Sequence, residues 1–300
     1  MDRTLPLEAG AATDAAPDWF AWAIAQAPRS EYVEANGNRL HYLEWNAQDE
    51  ASDSGKPVLL FVHGLRAHAH WWDFIAPFFT QSHRVLALDL SGMGESGWRE
   101  KYSASLLSRD VTCFIEALGL VTPTVVAHSY GGLCTLRAAS MRPGLFGRVV
   151  ILDTFVIFAD ETIYLDPPRP GAGKAYADRA AARERYRLLP PQPAPAPALI
   201  DHIAFHSMRE AGDGMRWKFD PGLNGEDIHL YDGDEMLSTI SAPVDYCYGD
   251  RSALVQAAHA RRIVEALPDA RGPIAIAGGH HHLMLDQPLA LVSTLRALLA

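Results

Sequence analysis

Short, almost wholly apolar runs alternate along this chain with longer stretches in which apolar residues return every three to four positions. The runs at 57–62, 84–88, 121–127, 149–152, 244–248 and 273–277 read as buried strands, since a half-exposed strand would alternate with polar residues. Between them, 104–118, 133–141, 255–267 and 289–299 carry helical spacing, with Gly119 and Pro143-Gly144 stopping the first two. A further helix is read as ending at 75–79. Two earlier strands, at 32–33 and 40–45, flank Asn36-Gly37-Asn38, the composition of a tight hairpin turn. The pattern predicts an α/β fold, with a mostly parallel central sheet of about eight strands covered by helices on both faces.

The rhythm is interrupted at both ends of this core. Residues 1–16 are Ala-rich, without periodicity, and are expected to be loosely ordered; 49–56 reads as a polar loop. Trp19, Phe20, Ala23 and Ile24 suit a short amphipathic helix over 17–27, opened by a proline and serving as a cover. From 155 to 241 the strand pattern disappears among Pro-Pro at 167, Pro170-Gly171, an Ala/Arg run at 179–187 and prolines over 190–197. Phe205, Met208, Trp217 and Phe219 in that stretch favour a packed, mainly helical cap over a disordered linker, inserted after the strand ending at Asp153. The expected organisation is an N-terminal extension (1–30), a core (31–154 and 242–300) and a cap (155–241).

Composition narrows the function. The chain has 300 residues, 48% of them hydrophobic and 21% charged, with a formal net charge of -10. That balance argues against nucleic acid or an anionic membrane as partner, both of which call for a basic face. Three cysteines, Cys113, Cys134 and Cys247, form neither a disulfide framework nor a metal motif. No apolar run reaches the roughly 18 residues of a membrane span, and the N-terminus lacks the pattern of a signal peptide. A soluble, cytoplasmic protein acting on a small molecule is expected, with its oligomeric state open.

Candidate chemistry centres on Val125-Val-Ala-His-Ser-Tyr-Gly-Gly132, an apolar run leading through Ser129 into helical spacing. A strand, a sharp turn and a helix with the serine at the bend make a nucleophile elbow. Ala127 stands where Gly-x-Ser-x-Gly has its first glycine; Gly131 supplies the second. A serine hydrolase also needs a base, a carboxylate to hold it, and two N–H groups aimed at the oxyanion. His63-Gly64-Leu65 follows the first core strand, which makes the backbone amides of Leu65 and Tyr130 the oxyanion candidates. The base is sought in Gly278-Gly-His-His-His282, a loop before the last helix, where position relative to Pro288 selects His281 with His282 next. A metal reading of these histidines, recruiting His63, His68 and His70, lacks the Cys or His-x-x-x-His pattern that would support it. Gly92-Met-Gly-Glu-Ser-Gly97 spells a dinucleotide fingerprint, but Trp98-Arg-Glu-Lys101 follows instead of a helix opening, and Glu116 lies within a helix. No metal and no cofactor is expected.

On these residues the chain resembles an α/β-hydrolase of the capped, esterase-like branch over about 30–300, and Asp89-Leu-Ser-Gly-Met-Gly-Glu-Ser96 is similar to that family's Asp-x-x-Gly-x-Gly-x-Ser loop. The family order is serine, acid, histidine. In most members the acid lies in a Gly-x-x-Asp turn after the strand that follows the cap; here Gly249-Asp-Arg-Ser252 puts a serine there. A second family solution places the acid at the end of the strand after the elbow helix, where Asp153 stands, so Asp153 is preferred and Asp250 is the rival. The resemblance implies a serine hydrolase that cleaves a small to medium carboxylic ester or lactone through an acyl-enzyme. A C–C bond hydrolase and a non-catalytic ligand receptor on the same scaffold remain alternatives. Trp71, Trp72, Phe155, Trp217 and Tyr130 are candidates to line the pocket or to pack in the core. Arg66 is a candidate for a substrate carboxylate or for a protein acid.

Overall fold

The structure, a computed structural model, describes residues 16–45, 55–161, 174–193, 195–212, 214–223 and 232–300. The first 15 residues, 49–54 of the polar loop, and Pro167, Pro168, Pro170 and Gly171 lie outside them.

Among the described residues there are ten strands: β1 (Arg29–Ala35), β2 (Asn38–Trp45), β3 (Val58–Val62), β4 (Arg84–Leu88), β5 (Thr124–His128), β6 (Arg148–Leu152), β7 (Met208–Ala211), β8 (Gly214–Trp217), β9 (Val244–Gly249) and β10 (Ala270–Ile276). Eight form one sheet in the order β1-β2-β4-β3-β5-β6-β9-β10. β1 and β2 are a hairpin, β2 runs antiparallel to β4, and every other pairing is parallel. Asn36 and Gly37 both take positive φ, 51° and 66°, as a two-residue turn between right-twisted strands requires.

The continuous apolar runs now have their reason. Alternate residues of a strand face opposite sides. Leu60, Val62, Val125 and Ala127 enter one core cluster, while Leu59, Phe61 and Val126 enter the other. The first cluster is closed by helices α2 (Ala104–Ala117) and α3 (Ser129–Met141), and the second by α1 (Asp18–Ile24) and the C-terminal helix (Pro288–Leu299). α2 begins where Ser103 Oγ accepts the Leu106 N–H at 3.1 Å, and it gives way at Gly119, whose φ is +60°.

Two expectations change. The region of 75–79 is not an α-helix but a pair of 3-10 turns, Ala69–Trp72 and Ala76–Phe79. Pro77 removes a helical donor, and the apolar side chains here, Trp71, Trp72, Phe74, Ile75 and Phe79, are all buried instead of forming one stripe. The insertion after β6 also contains strands: β7 and β8 pair antiparallel. Four-residue strands carrying Arg209, Glu210 and Arg216 are too short and too polar to show a period. Among its described residues the insertion also carries the helices α4 (Arg179–Arg185), α5 (Pro197–His206) and α6 (Gly233–Ser238). Leu199 and Ile203 of α5 join the second cluster together with Phe20 of α1. No helix among the described residues is long and apolar enough to cross a membrane.

Candidate active site

β5 delivers the chain to Ser129, whose φ of +53° lies in the left-handed region that a side chain rarely occupies. α3 starts at that residue. The strain persists only because the surroundings enforce it, and the two following glycines let them. A Cβ on Gly131 would collide with the carbonyl oxygen of His63, and one on Gly132 with Thr154 Oγ1. Thr154 in turn donates to the Ser129 carbonyl at 2.9 Å. Gly131→Ala is therefore expected to destabilise the fold by roughly 1–3 kcal/mol, the usual cost of overpacking. A urea midpoint unchanged from the parent protein would refute this.

The loop after β10 brings His281 to the bend. Its Nε2 lies 2.9 Å from Ser129 Oγ, and its Nδ1 lies 2.7 Å from Asp153 Oδ1. His128 supports that loop by donating from Nε2 to the His281 carbonyl at 2.8 Å. Burial lowers the proton affinity of His128, so it serves as a neutral donor.

Asp153 follows β6 with a φ of +47° and is fully buried. A buried carboxylate needs donors on both oxygens. Its Oδ2 accepts the Gly249 N–H at 2.8 Å; its Oδ1 accepts from Ser252 Oγ at 2.7 Å as well as from His281. Asp250 is exposed at the end of β9. Ser252, which occupies the place where most family members have their acid, thus hydrogen-bonds the acid that comes from β6. Removing one donor to a buried carboxylate is worth about 1.5–3 kcal/mol. Ser252→Ala is accordingly expected to lower kcat about tenfold with KM little changed, as steady-state kinetics would measure; equal kcat for the two proteins would contradict the assignment.

The turn after β3 lies against the elbow, since a Cβ on Gly64 would come within 3.2 Å of Ser129 Cβ. His63 fixes this turn. Its Nε2 accepts the Leu90 N–H at 3.2 Å, so Nδ1 carries the proton and donates to the Gly64 carbonyl at 2.7 Å. Burial lowers the His63 pKa and favours that neutral form, with Asp89 acting in the opposite sense. Arg66 continues the turn with a φ of +58°. Tyr130 belongs to the first turn of α3, where backbone N–H groups have no intrahelical acceptor.

The glycine-rich loop after β4 works inward. Asp89 accepts from His41 Nδ1 and from the Ala69 N–H, each at 2.6 Å, and from the Glu95 N–H at 2.9 Å. A Cβ on Gly94 would strike that carboxylate. The next helix opens only at Ala104. The loop is a brace between β2, β4 and the segment after β3, and it offers no helix N-terminus to a pyrophosphate.

The remaining sequence candidates divide. Trp72 is fully buried with its ring 4.8 Å from that of Phe61, so it is core and not pocket lining. Trp217 packs against Tyr176 and Tyr186 inside the insertion. Trp71 lies against His282, at 5.3 Å between ring centroids. Phe155 stacks flat on His259 at 4.1 Å. The Arg66 guanidinium sits over Phe219, a residue of the insertion. The three consecutive histidines point apart, as adjacent residues must: His280 reaches Asp286, His281 reaches Ser129, and His282 reaches Gln192, each of the outer two at 2.7 Å. Sequence reasoning passed over a different pair, His202 and His206, which stand one turn apart on α5. Their His-x-x-x-His spacing was the available signal.

An eight-stranded, mostly parallel sheet that presents a strained strand-to-helix turn at the end of a central strand defines an α/β enzyme of the hydrolase class. The chain belongs to the α/β-hydrolase fold family, whose model matches residues 57–288. It is 27% identical over 280 residues to the esterase Rv0045c of Mycobacterium tuberculosis, covering 91% of this chain and 89% of that one. It is 25% identical over 272 residues to the N-formylmaleamate deformylase of Pseudomonas putida, covering 83% and 88%. Among solved structures, the thioesterase domain from the curacin biosynthetic pathway superposes with a TM-score of 0.73 at 24% identity, covering 90% of this chain and 99% of that domain.

Proposed function

We propose that the protein is a serine esterase acting on a small to medium carboxylic ester or lactone. The observation that carries this reading is the unbroken path from Asp153 through His281 to Ser129, at 2.7 Å and 2.9 Å, with the serine held at a strained bend. In the proposed cycle His281 Nε2 takes the Ser129 proton as Oγ attacks the carbonyl carbon. Asp153 holds the imidazole in the tautomer with Nδ1 protonated and stabilises its cation. The amides of Leu65 and Tyr130 stabilise the oxyanion, and collapse of the tetrahedral intermediate expels the alcohol with the proton from His281. Water activated by the same histidine then releases the acid. The insertion at 155–241 acts as a cap, with Trp71, Phe155 and Arg66 beside the acyl site. The esterase relative, which spans nearly the whole chain, supports ester substrates.

The test is a fluorophosphonate probe followed by a panel of p-nitrophenyl esters, lactones and amides. Labelling confined to Ser129, with turnover of at least one ester or lactone, is the expected result. An intact protein that neither labels nor turns over any ester or lactone would overturn the reading in favour of a ligand receptor.

A further inference from the structure

Outside the Ser129–His281–Asp153 path, the second face of the sheet carries a concentration of histidines. His70 and Asp73 belong to the 3-10 segment after β3, and His202 and His206 lie one turn apart on α5 of the insertion. Asp73 Oδ2 lies 2.8 Å from both His70 Nδ1 and His202 Nε2. The rings of His70 and His206 stack at 3.8 Å. One ligand atom from each of His70, Asp73 and His206 falls within 4.8 Å of the other two. Asp73 is buried, and its second oxygen, Oδ1, has no hydrogen-bond partner.

Hydrogen bonding alone accounts for one carboxylate oxygen and leaves the other unsatisfied, which is costly for a buried acceptor. We propose that His70, Asp73 and His206 form a binding site for a divalent transition-metal ion of the zinc class, with His202 orienting Asp73. Two imidazoles and one carboxylate suit zinc or its neighbours, whereas magnesium and calcium take oxygen ligands. Tetrahedral coordination with bonds of about 2.0–2.2 Å sets ligand atoms roughly 3.4 Å apart. The stacked rings therefore splay and His206 closes in by side-chain rotation, while the ion takes the place of the proton between His70 Nδ1 and Asp73; that proton moves through solvent to His70 Nε2, so that the histidine coordinates as a neutral imidazole. Three protein ligands leave a fourth position for water. Because His206 comes from the insertion and the other two from the segment after β3, the ion would tie the insertion to the sheet beside Trp71. This site does not depend on the esterase reading.

The test uses the full chain without an affinity tag, stripped with a chelator and titrated with zinc by calorimetry and with cobalt by visible absorption. One ion per chain is expected, with visible cobalt bands of a nitrogen- and oxygen-ligated four-coordinate ion. A zinc concentration about a hundredfold above Kd should raise the thermal midpoint by about 5 °C. His206→Gln and Asp73→Asn should each weaken binding at least a hundredfold, and circular dichroism without metal reports whether each has folded; either folded variant suffices. His280→Gln, in the histidine run near the serine, should bind as the parent does. Absence of binding by the parent chain, binding retained by a folded His206→Gln or Asp73→Asn, or binding lost only in His280→Gln would each overturn the proposal.

Discussion

Replacing Ser129 by alanine is expected to lower kcat on a carboxylic ester by about 10^6-fold, and Asp153 by asparagine by about 10^4-fold. The two losses differ for a physical reason. Without Oγ there is no nucleophile, and what survives is attack by water assisted by the oxyanion amides. Without the Asp153 charge the serine and histidine remain, but an asparagine amide at 2.7 Å from His281 Nδ1 favours the wrong tautomer and no longer stabilises the imidazolium. Asp250→Asn is the informative control. That side chain is exposed and outside the hydrogen-bonded path, so its change should stay within about threefold, the effect of an ordinary surface substitution. Steady-state kinetics on the three variants decides among the roles, with probe labelling to show that each site is still assembled. A crippled Asp250→Asn beside an active Asp153→Asn would remove Asp153 from the mechanism.

Acidification below about pH 6.5 is expected to cost this fold much of its stability. His63, His128 and His282 are buried, and burial lowers the pKa of each from the ordinary value of 6.5, with neighbouring histidines adding to the effect at His128 and His282. The unfolded chain protonates all three near 6.5 while the folded chain keeps them neutral. It therefore binds more protons than the folded form, and stability falls as pH drops from 6.5 toward the lowered values. Their contribution is complete above that range. Each such histidine costs about 1.4 kcal/mol per pH unit well inside the window. The three slopes add, and they act against the roughly 5–15 kcal/mol that holds a typical domain together. Urea melts between pH 8 and 5 measure this directly. A midpoint that stays level from pH 7.5 to 5.5 would exclude neutral burial of these rings, and His128→Gln should reduce the slope by about one proton if the fold tolerates it.

Much of this architecture is legible in the sequence. Buried strands and helix stops are local statements: a run such as Val58–Val62 has no polar residue to turn outward, and Gly119 can take the positive φ that ends a helix. The elbow is local too, because small residues at Ala127, Gly131 and Gly132 are what a strand-to-helix bend requires. The same logic failed where burial replaced periodicity, as in the 3-10 turns around Pro77, and where strands were too short to show a period, as in β7 and β8.

What the residue order could not decide is which distant side chains meet. Asp153 and Asp250 both follow parallel strands in adjacent positions of the sheet. Only the pairing of β6 with β9 puts Gly249 and Ser252 as donors around one carboxylate and leaves the other in water. Trp71 and Trp72 are neighbours in sequence, yet one ring meets His282 and the other disappears under Phe61. His206 lies 133 residues beyond Asp73 in the sequence, and it meets Asp73 and His70 because α5 folds back over the segment after β3. Local chemistry selects the elements and the bend that holds Ser129. The packing of sheet and insertion selects the serine's partners, because hydrogen bonds and ion contacts act over about 3 Å, a distance along which sequence separation carries no information.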